Sequence, residues 1–539
     1  MQLQQEREMN TEWWRGAVIY QIYPRSFQDD SGDGIGDLKG ITRRLDHVAS
    51  LGVDAIWLSP IFTSPMADMG YDVSDYRDID PQFGTLADFD ALVARAHELG
   101  LKVVIDQVLS HSSDKHPYFQ QSRKSKTGEK ADWYVWADPK PDGTPPTNWQ
   151  SNFGGSSWEY APERRQYYLH NFLIEQPDFN LHNPDVQDEL LDVLRFWLDR
   201  GVDGFRLDTV NYYFHDPELR DNPPMPADPA GWPPVATYDM QDHEYDKNRP
   251  ENLAFLQRMR AVMDAYDARM LIGEVGEVPH RALGIMEEYT RGDDRLHMAY
   301  SFDMLGPKFT PEHFRSRIEG FFTNAPDGWP SWSFSNHDVQ RHVTRWKNYG
   351  TQDAVAKLAI SMLASFQGTI GIYQGEELGL SETELEYSEL TDPPGLRFWP
   401  ENKGRDGCRT PMVWDESANA GFSEVKPWLP VKAPQAARAV SLQEKTNDGV
   451  LAQYRAMLAF RKGSQALSSG RSDFLDLDEP LLGFVRVAQD QRVTCIFNLS
   501  AETVSLQAPE GTLTGPSLAA SIEGGKLTLG PNGAAWVEA

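Results

Sequence analysis

Cysteine is scarce in this chain, which has only Cys408 and Cys495 among 539 residues. Two cysteines so far apart are too few for a disulfide framework, so they predict free thiols in a reducing compartment. No run of about 18 apolar residues occurs, and the sequence therefore predicts no transmembrane helix. Residues 1–10 are polar and lack the apolar segment of a signal peptide, which makes the cytoplasm the expected location.

Basic residues are also in short supply, with 51 Lys and Arg against 80 Asp and Glu and a net charge of −29. Nucleic-acid binding needs clustered cations, so this balance argues against a nucleic-acid partner and against an anionic membrane surface. A small neutral substrate such as a sugar agrees with it. The content of 40% hydrophobic and 24% charged residues is typical of a soluble globular protein.

Short apolar segments alternate with amphipathic helical patterns along most of the chain. This alternation is typical of βα units and a parallel sheet. Eight such strands predict a closed (β/α)₈ TIM barrel. The predicted strands are 18–23, 55–58, 102–107, 202–207, 270–273, 298–302, 332–334 and 369–373, and the predicted helices are 38–51, 86–99, 184–200, 250–265 and 450–462.

Two regions depart from this alternation. Residues 108–175 are rich in Trp, Tyr, Gly, Pro and Asn, and so long an insertion after one strand indicates a functional excursion. The region after 463 reads as a small all-β domain. Its predicted strands are 474–477, 482–487, 493–499, 504–507 and 526–529. We therefore expect a catalytic barrel of residues 13–107 and 176–463, an inserted subdomain B at 108–175 and a C-terminal β-sandwich at 464–539.

Three predicted strands each lead to an acidic residue, namely Asp208, Glu274 and Asp338. The carboxyl ends of barrel strands meet on one face, where two suitably spaced acids can break a glycosidic bond. Arg206 shares a strand face with Asp208, so we expect it to lower the pKa of Asp208 and keep that carboxylate ionised, as a nucleophile requires. Glu274 has no basic neighbour in the sequence and is the candidate general acid. Each acid alone is equally compatible with a helix cap or an ion pair.

Five short motifs extend this pattern. They are Asp106-Gln107-Val108-Leu109-Ser110-His111, Gly204-Phe205-Arg206-Leu207-Asp208, Gly273-Glu274, Asn336-His337-Asp338 and Gln176-Pro177-Asp178-Phe179-Asn180. Together they resemble the α-amylase family of retaining glycoside hydrolases, specifically its α-glucosidase and oligo-1,6-glucosidase branch, over nearly the whole chain. The resemblance implies Asp208 as nucleophile, Glu274 as acid/base and Asp338 as transition-state stabiliser.

The resemblance also implies residues that bind the non-reducing glucose. Asp68 and Tyr71 would hold that sugar and close the pocket at one end, which would make the enzyme exo-acting. A loop turn anchored by Gly70 is the alternative interpretation of this segment. His111 and His337 would donate hydrogen bonds to glucose hydroxyls, although a single histidine is more often structural.

A further arginine and two aromatic residues complete the predicted site. Arg405 resembles a family arginine that pairs with the stabilising Asp or with the sugar, and Arg409 is the competing candidate. Phe153 and Phe172 resemble aromatic residues at the pocket mouth, with core packing as the alternative. The full predicted substrate-binding set is Asp68, Tyr71, His111, Phe153, Phe172, Arg206, Thr209, His337 and Arg405.

An Asp/Gly-rich loop, residues 29–37, carries oxygen atoms at alternate positions, as Ca²⁺ or Mg²⁺ prefers. Gly40 stands where an EF-hand would need Glu, so the loop is not an EF-hand. It resembles a structural metal loop of this branch, and a turn without metal is the alternative. The predicted ligands are Asp29, Ser31, Asp33, the Ile35 carbonyl and Asp37. No catalytic cofactor is expected.

Thr209 follows the predicted nucleophile and bears on linkage. The resemblance to this branch implies a preference for α-1,6 links where the position holds Val, and for α-1,4 links where it holds Thr or Ala. We therefore expect an exo-acting retaining α-glucosidase that prefers maltose-like substrates and also transfers glucose. The alternatives are an α-glucosyltransferase or an oligo-1,6-glucosidase, with sucrose isomerases and trehalose-forming enzymes as more distant ones. A non-catalytic binding subunit is disfavoured because all three acids are present and no transmembrane anchor is predicted. The expected binding partners are small oligosaccharide or aryl glucoside substrates. The protein itself is expected to be a monomer or a dimer.

Overall fold

The computed structural model describes residues 12–227 and 233–539. The polar N-terminal residues that predict the absence of a signal peptide lie outside this part. Within it, no helix is both long and apolar enough to cross a membrane. Both cysteines are buried and free.

Eight parallel strands form the central sheet, as predicted. Numbered along the chain, they are hydrogen-bonded in the order 6-5-4-3-2-1-8-7, and a parallel bridge from Ala299 to Pro330 joins the two edges. This closure confirms the TIM barrel. The strands are Val18–Ile22, Ala55–Leu58, Lys102–Gln107, Gly204–Leu207, Met270–Val275, Met298–Ser301, Ser331–Ser333 and Thr369–Tyr373.

Helices on the outside of the barrel cover the apolar faces of these strands. Local capping sets where they begin: Asp37 accepts from the Gly40 amide, and Thr85 forms a capping box with Asp88. The principal helices are Leu38–Ser50, Leu86–Glu98, Pro184–Asp199, Asn252–Met263, Pro279–Thr290, Pro311–Asn324, Gln352–Leu363 and Val450–Gly463. Three of these were not predicted. One of them, Gln352–Leu363, is buried over most of its length and so lacks a polar face to reveal its period.

The insertion after the third strand folds around its own apolar cluster. Its strands Trp136–Ala137, Trp158–Ala161 and Gln166–Leu169 form a small antiparallel sheet, preceded by the helix Pro117–Ser122. Trp149 and Trp158 stack at 5.8 Å inside it. The aromatic residues that mark this region in the sequence therefore build a local core.

The C-terminal region is all-β, as predicted, and forms one six-stranded antiparallel sheet. The predicted strand 474–477 is displaced: the structure has Arg471–Phe474 there, an edge strand without apolar alternation, while Leu475 and Leu477 pack over Gly483. Trp536 anchors the sheet to the barrel by donating to Ser365 Oγ at 2.9 Å. The other strands are Leu481–Ala488, Gln491–Asn498, Val504–Gln507, Thr512–Glu523 and Lys526–Glu538. The proposed domain limits stay a prediction.

Candidate active site

Arg206 lies on the fourth barrel strand and connects three buried carboxylates. Its Nη1 donates to Asp208 Oδ1 and to Asp106 Oδ1, both at 2.7 Å. Its Nη2 lies 2.7 Å from Glu274 Oε1. The predicted cation beside Asp208 is therefore present, but three strands share it.

Burial controls the protonation of the two predicted catalytic acids. It raises the pKa of Asp208 to about 7, because loss of water outweighs the attraction of Arg206. Arg206 does lower this pKa, as predicted, but burial together with the charges of Asp106 and Asp338 raises it by more, so the net shift is upward. Burial also raises the pKa of Glu274 to about 7, as expected for a general acid. The charge of Asp208 adds to the rise in the pKa of Glu274, so the two acids titrate as an interacting pair.

Thr209 contacts both acids from a left-handed backbone conformation with φ of 42°. Its amide donates to Glu274 Oε2 at 3.0 Å, and its hydroxyl donates to Asp208 Oδ2 at 3.3 Å. A β-branched residue rarely adopts positive φ, so the surrounding contacts must hold it there. Ser110 supplies one such contact, with 2.9 Å between the two hydroxyl oxygens.

Asp338 follows the seventh strand and faces two arginines. Arg405 Nη1 donates to Asp338 Oδ1 at 3.3 Å and Arg409 Nη2 at 3.1 Å. Burial by itself would raise the pKa of Asp338, but the charges of Arg405 and Arg409 hold it below its ordinary value. Asp338 therefore stays ionised, and both candidate arginines contact it.

His337 lies behind the carboxylates. Its Nδ1 accepts a hydrogen bond from the side-chain amide of Gln21 at 2.7 Å. The proton of the neutral ring is therefore on Nε2, which donates to the Tyr71 hydroxyl at 2.5 Å. Tyr71 in turn donates to Asp106 Oδ2 at 3.1 Å. Burial lowers the pKa of His337 well below its ordinary value. A neutral His337 thus orients Tyr71 within a hydrogen-bonded chain.

Asp68 and Arg405 form an ion pair at the wall of the site. Arg405 Nη2 lies 2.7 Å from Asp68 Oδ1, and Gln176 donates to Asp68 Oδ2 at 3.2 Å. Asp392 holds the same Arg405 nitrogen at 2.6 Å. The segments after the second, third, seventh and eighth strands therefore meet here.

A cavity of about 380 Å³ opens over these groups. Arg206 and His337 do not line it and support the lining residues from behind. The predicted residues that line it are Asp68, Tyr71, His111, Phe153, Phe172, Asp208, Thr209, Glu274, Asp338 and Arg405.

Several residues of the site were not predicted. Asp106 pairs with Arg206 and could have been found, because it opens the motif after the third strand. Tyr300 donates to Glu274 Oε1 at 3.2 Å, but it sits inside the apolar sixth strand without any sequence signal. Tyr212 and Tyr238 line the cavity from segments that carry no motif.

The predicted metal loop is held by hydrogen bonds from protein donors. Asp29 accepts from the amides of Gly32 and Gly34 at 2.7 and 2.8 Å, and Asp37 accepts from the amides of Ser31 and Gly40 at 2.8 and 2.7 Å. Across residues 12–227 and 233–539, no three His, Cys, Asp or Glu side chains converge as metal ligands would. The loop does not fit a carboxylate cage, and metal binding stays a prediction without geometric support.

Three acids at the carboxyl ends of barrel strands, two of them on one guanidinium, define the class of barrel enzymes that cleave glycosidic bonds. Residues 21–470 match the family model described as the alpha amylase catalytic domain. The chain belongs to the α-amylase family of glycoside hydrolases.

Similar proteins include named glucosidases and solved structures of enzymes that act on glucosyl groups. A probable α-glucosidase of Rhizobium meliloti (strain 1021) is 59% identical over 93% of this chain and 92% of its own length. An oligo-1,6-glucosidase of Heyndrickxia coagulans is 39% identical over 93% and 94%. Among solved structures, the α-glucosyl transfer enzyme XgtA has a TM-score of 0.94 and 50% identity over 98% and 99% of the two chains. The trehalulose synthase MutB of Pseudomonas mesoacidophila MX-45 has a TM-score of 0.87 and 33% identity over 98% and 99%.

Proposed function

We propose that this enzyme is an exo-acting, retaining α-glucosidase that releases glucose from short α-glucosides. The observation that carries the proposal is the position of Asp208 and Glu274 on the two terminal nitrogens of Arg206. A shared guanidinium holds the two carboxylates near each other, and a retaining enzyme needs a separation of only about 5 Å.

The first step forms a covalent glucosyl-enzyme. An oxygen of ionised Asp208 attacks the anomeric carbon, and the bond to the leaving oxygen breaks. Glu274 gives its proton to that oxygen, as its raised pKa permits. Asp338 stays ionised beside the ring and stabilises the positive charge that develops there.

The second step reverses these roles. A water oxygen attacks the anomeric carbon, Glu274 takes the water proton, and the ester bond to Asp208 breaks. Two displacements at one carbon retain its configuration. An alcohol in place of water gives transfer by the same step, so transglucosylation accompanies hydrolysis.

Exo-action and linkage preference rest on two separate features. The Asp68–Arg405 ion pair closes the cavity behind the glucose, which supports attack at the chain end. Thr209 places a hydroxyl beside the nucleophile, and we assign the α-1,4 preference to it. The expected substrates are small maltose-like oligosaccharides and aryl α-glucosides.

A glucosyltransferase is the second candidate. Similarity to an α-glucosyl transfer enzyme favours it, as does the aromatic lining formed by Phe172, Tyr212 and Tyr238. Flat apolar side chains can hold an acceptor while limiting access of water. The ratio of transfer to hydrolysis separates the two candidates.

Methanolysis of an aryl α-glucoside, followed by NMR, tests the proposal. The first product should be methyl α-glucoside, and a β-product would refute retention. Asp208→Asn should lower kcat by about 10⁴-fold or more, because a carboxamide cannot form the ester. Full turnover by Asp208→Asn would refute the assignment of the nucleophile. A comparison of maltose with isomaltose tests the linkage assignment independently.

A further inference from the structure

Lys247 is a buried ammonium at the edge of the cavity, with 3% of the residue exposed. Its Nζ donates to Tyr238 Oη at 2.9 Å, to Gly276 O at 3.0 Å and to Tyr212 Oη at 3.3 Å. Glu277 lies 3.4 Å away as the countercharge. A single cation therefore holds two phenols and a backbone carbonyl in one arrangement.

These partners come from three separate segments around the catalytic acids. Tyr212 ends the short helix Val210–Tyr212, which begins two residues after Asp208. Tyr238 lies in the short helix Thr237–Met240. Gly276 comes two residues after Glu274. Tyr212, Tyr238 and Gly276 line the cavity whereas Lys247 does not, so Lys247 acts only through them.

The charge of Lys247 is maintained by its surroundings. Burial by itself would lower the pKa of Lys247, but Tyr212 and Glu277 raise it above the ordinary value. A buried charge is costly unless its hydrogen bonds are satisfied, so the four contacts must be kept together. The His243 ring stacks on the Tyr238 ring, with ring centroids 3.7 Å apart. Both phenols are thereby restricted to one orientation.

The place of this cluster relative to Glu274 indicates its role. The general acid must reach the leaving oxygen, so the leaving group occupies the cavity beside Glu274 and Gly276. Tyr212 and Tyr238 form the wall there. We propose that Lys247 is a positioning residue that fixes this wall and so determines how aglycones and acceptor alcohols are held, an inference that rests on the proposed glucosidase function.

The test compares substrates that differ only in whether they reach the wall. p-Nitrophenyl α-glucoside and maltose carry aglycones that reach it, whereas the leaving group of α-glucosyl fluoride is a single atom. Lys247→Met removes the charge and keeps the length of the side chain. We expect kcat/KM to fall about tenfold for the first two substrates. For the fluoride, kcat/KM should stay within about twofold of the wild-type value.

A matched control separates position from general damage. Lys102→Met removes an ammonium 3.1 Å from the buried Asp203 at the opposite end of the barrel, and it should leave the ratio between substrates unchanged. Tyr238→Phe keeps the ring and should show a smaller change in the same direction as Lys247→Met. It replaces that variant if Lys247→Met does not fold.

Two outcomes would overturn the role of Lys247: an equal fall for all three substrates, or no fall for any. A wild-type enzyme that cleaves none of the three substrates would instead refute the proposed glucosidase function itself, and the role of Lys247 with it.

Discussion

The backbone amide of Thr209 donates to Glu274 Oε2 at 3.0 Å. This bond joins the residue after the predicted nucleophile to the predicted general acid, although 65 residues separate them in sequence. Because the contact uses the backbone, it survives a change of the Thr209 side chain. The proposed role of Thr209 in linkage preference can therefore be tested at this position while Glu274 keeps its backbone contact.

Thr209→Val tests that separation. Val keeps the shape of Thr and removes the hydroxyl that contacts Asp208 and Ser110. We expect the ratio of isomaltose to maltose cleavage to rise about tenfold, close to the effect of one lost hydrogen bond in a site. Thr209→Ser retains the hydroxyl and is the control. An unchanged ratio in Thr209→Val would remove the linkage role.

The pH dependence of kcat/KM should report the acid pair. Burial raises the pKa of Glu274 to about 7, so Glu274 keeps its proton below that pH and loses it as the pH rises. We therefore expect activity on aryl glucosides to decline above about pH 7. α-Glucosyl fluoride needs little acid assistance, and its profile should decline less on that side. A flat profile to pH 9 for both substrates would contradict this assignment of the acid.

Arg405 and Arg409 should differ in what their loss damages. Arg405 lines the cavity and pairs with Asp68, so Arg405→Met should mainly lower kcat/KM. Arg409 is fully buried and donates to the His337 carbonyl at 2.7 Å, so Arg409→Met should mainly lower stability, by about 3–5 kcal/mol. Thermal unfolding temperatures and kcat/KM, measured for both variants, distinguish the two roles. Similar unfolding temperatures for the two would show that Arg409 has no special structural role.

Chelation should leave the protein stable. The carboxylates of Asp29 and Asp37 already accept hydrogen bonds within the loop and from Ser423. We expect the same unfolding temperature in EDTA and in excess CaCl₂, measured by differential scanning fluorimetry. Metal analysis of the purified protein provides the control. A large rise in stability with Ca²⁺ would restore the predicted metal site.

Local patterns predict the barrel strands well and the edge strand of the C-terminal sheet poorly. The strands Ala55–Leu58, Lys102–Gln107 and Thr369–Tyr373 agree with prediction because buried parallel strands are short apolar runs. The edge strand Arg471–Phe474 was displaced, since an exposed edge has no apolar pattern. The strand that carries Glu274 extends to Val275, so this acid lies within the strand and not after it.

The predicted site was more complete in its residues than in its electrostatics. The motifs identify which acids meet, because strand ends share one face of a barrel. They could not show that Arg206 also reaches Glu274, since that contact joins neighbouring strands. They could not show the link from Lys247 to Tyr212 either, because both residues lie in irregular segments. Both contacts depend on the path of the chain in three dimensions.

The ion pair between Asp68 and Arg405 has a kinetic consequence. In the proposed exo-acting enzyme the pocket is closed behind the glucose and has a single opening, so ligands enter and leave in a fixed order. By the proposed retaining mechanism the aglycone departs first, and glucose stays bound to the enzyme as an ester and leaves last. Free glucose should then compete with the substrate for the empty enzyme, whereas the released aglycone should meet the loaded one. The patterns of product inhibition by glucose and by the aglycone would thus test whether the cavity is closed at the Asp68–Arg405 pair.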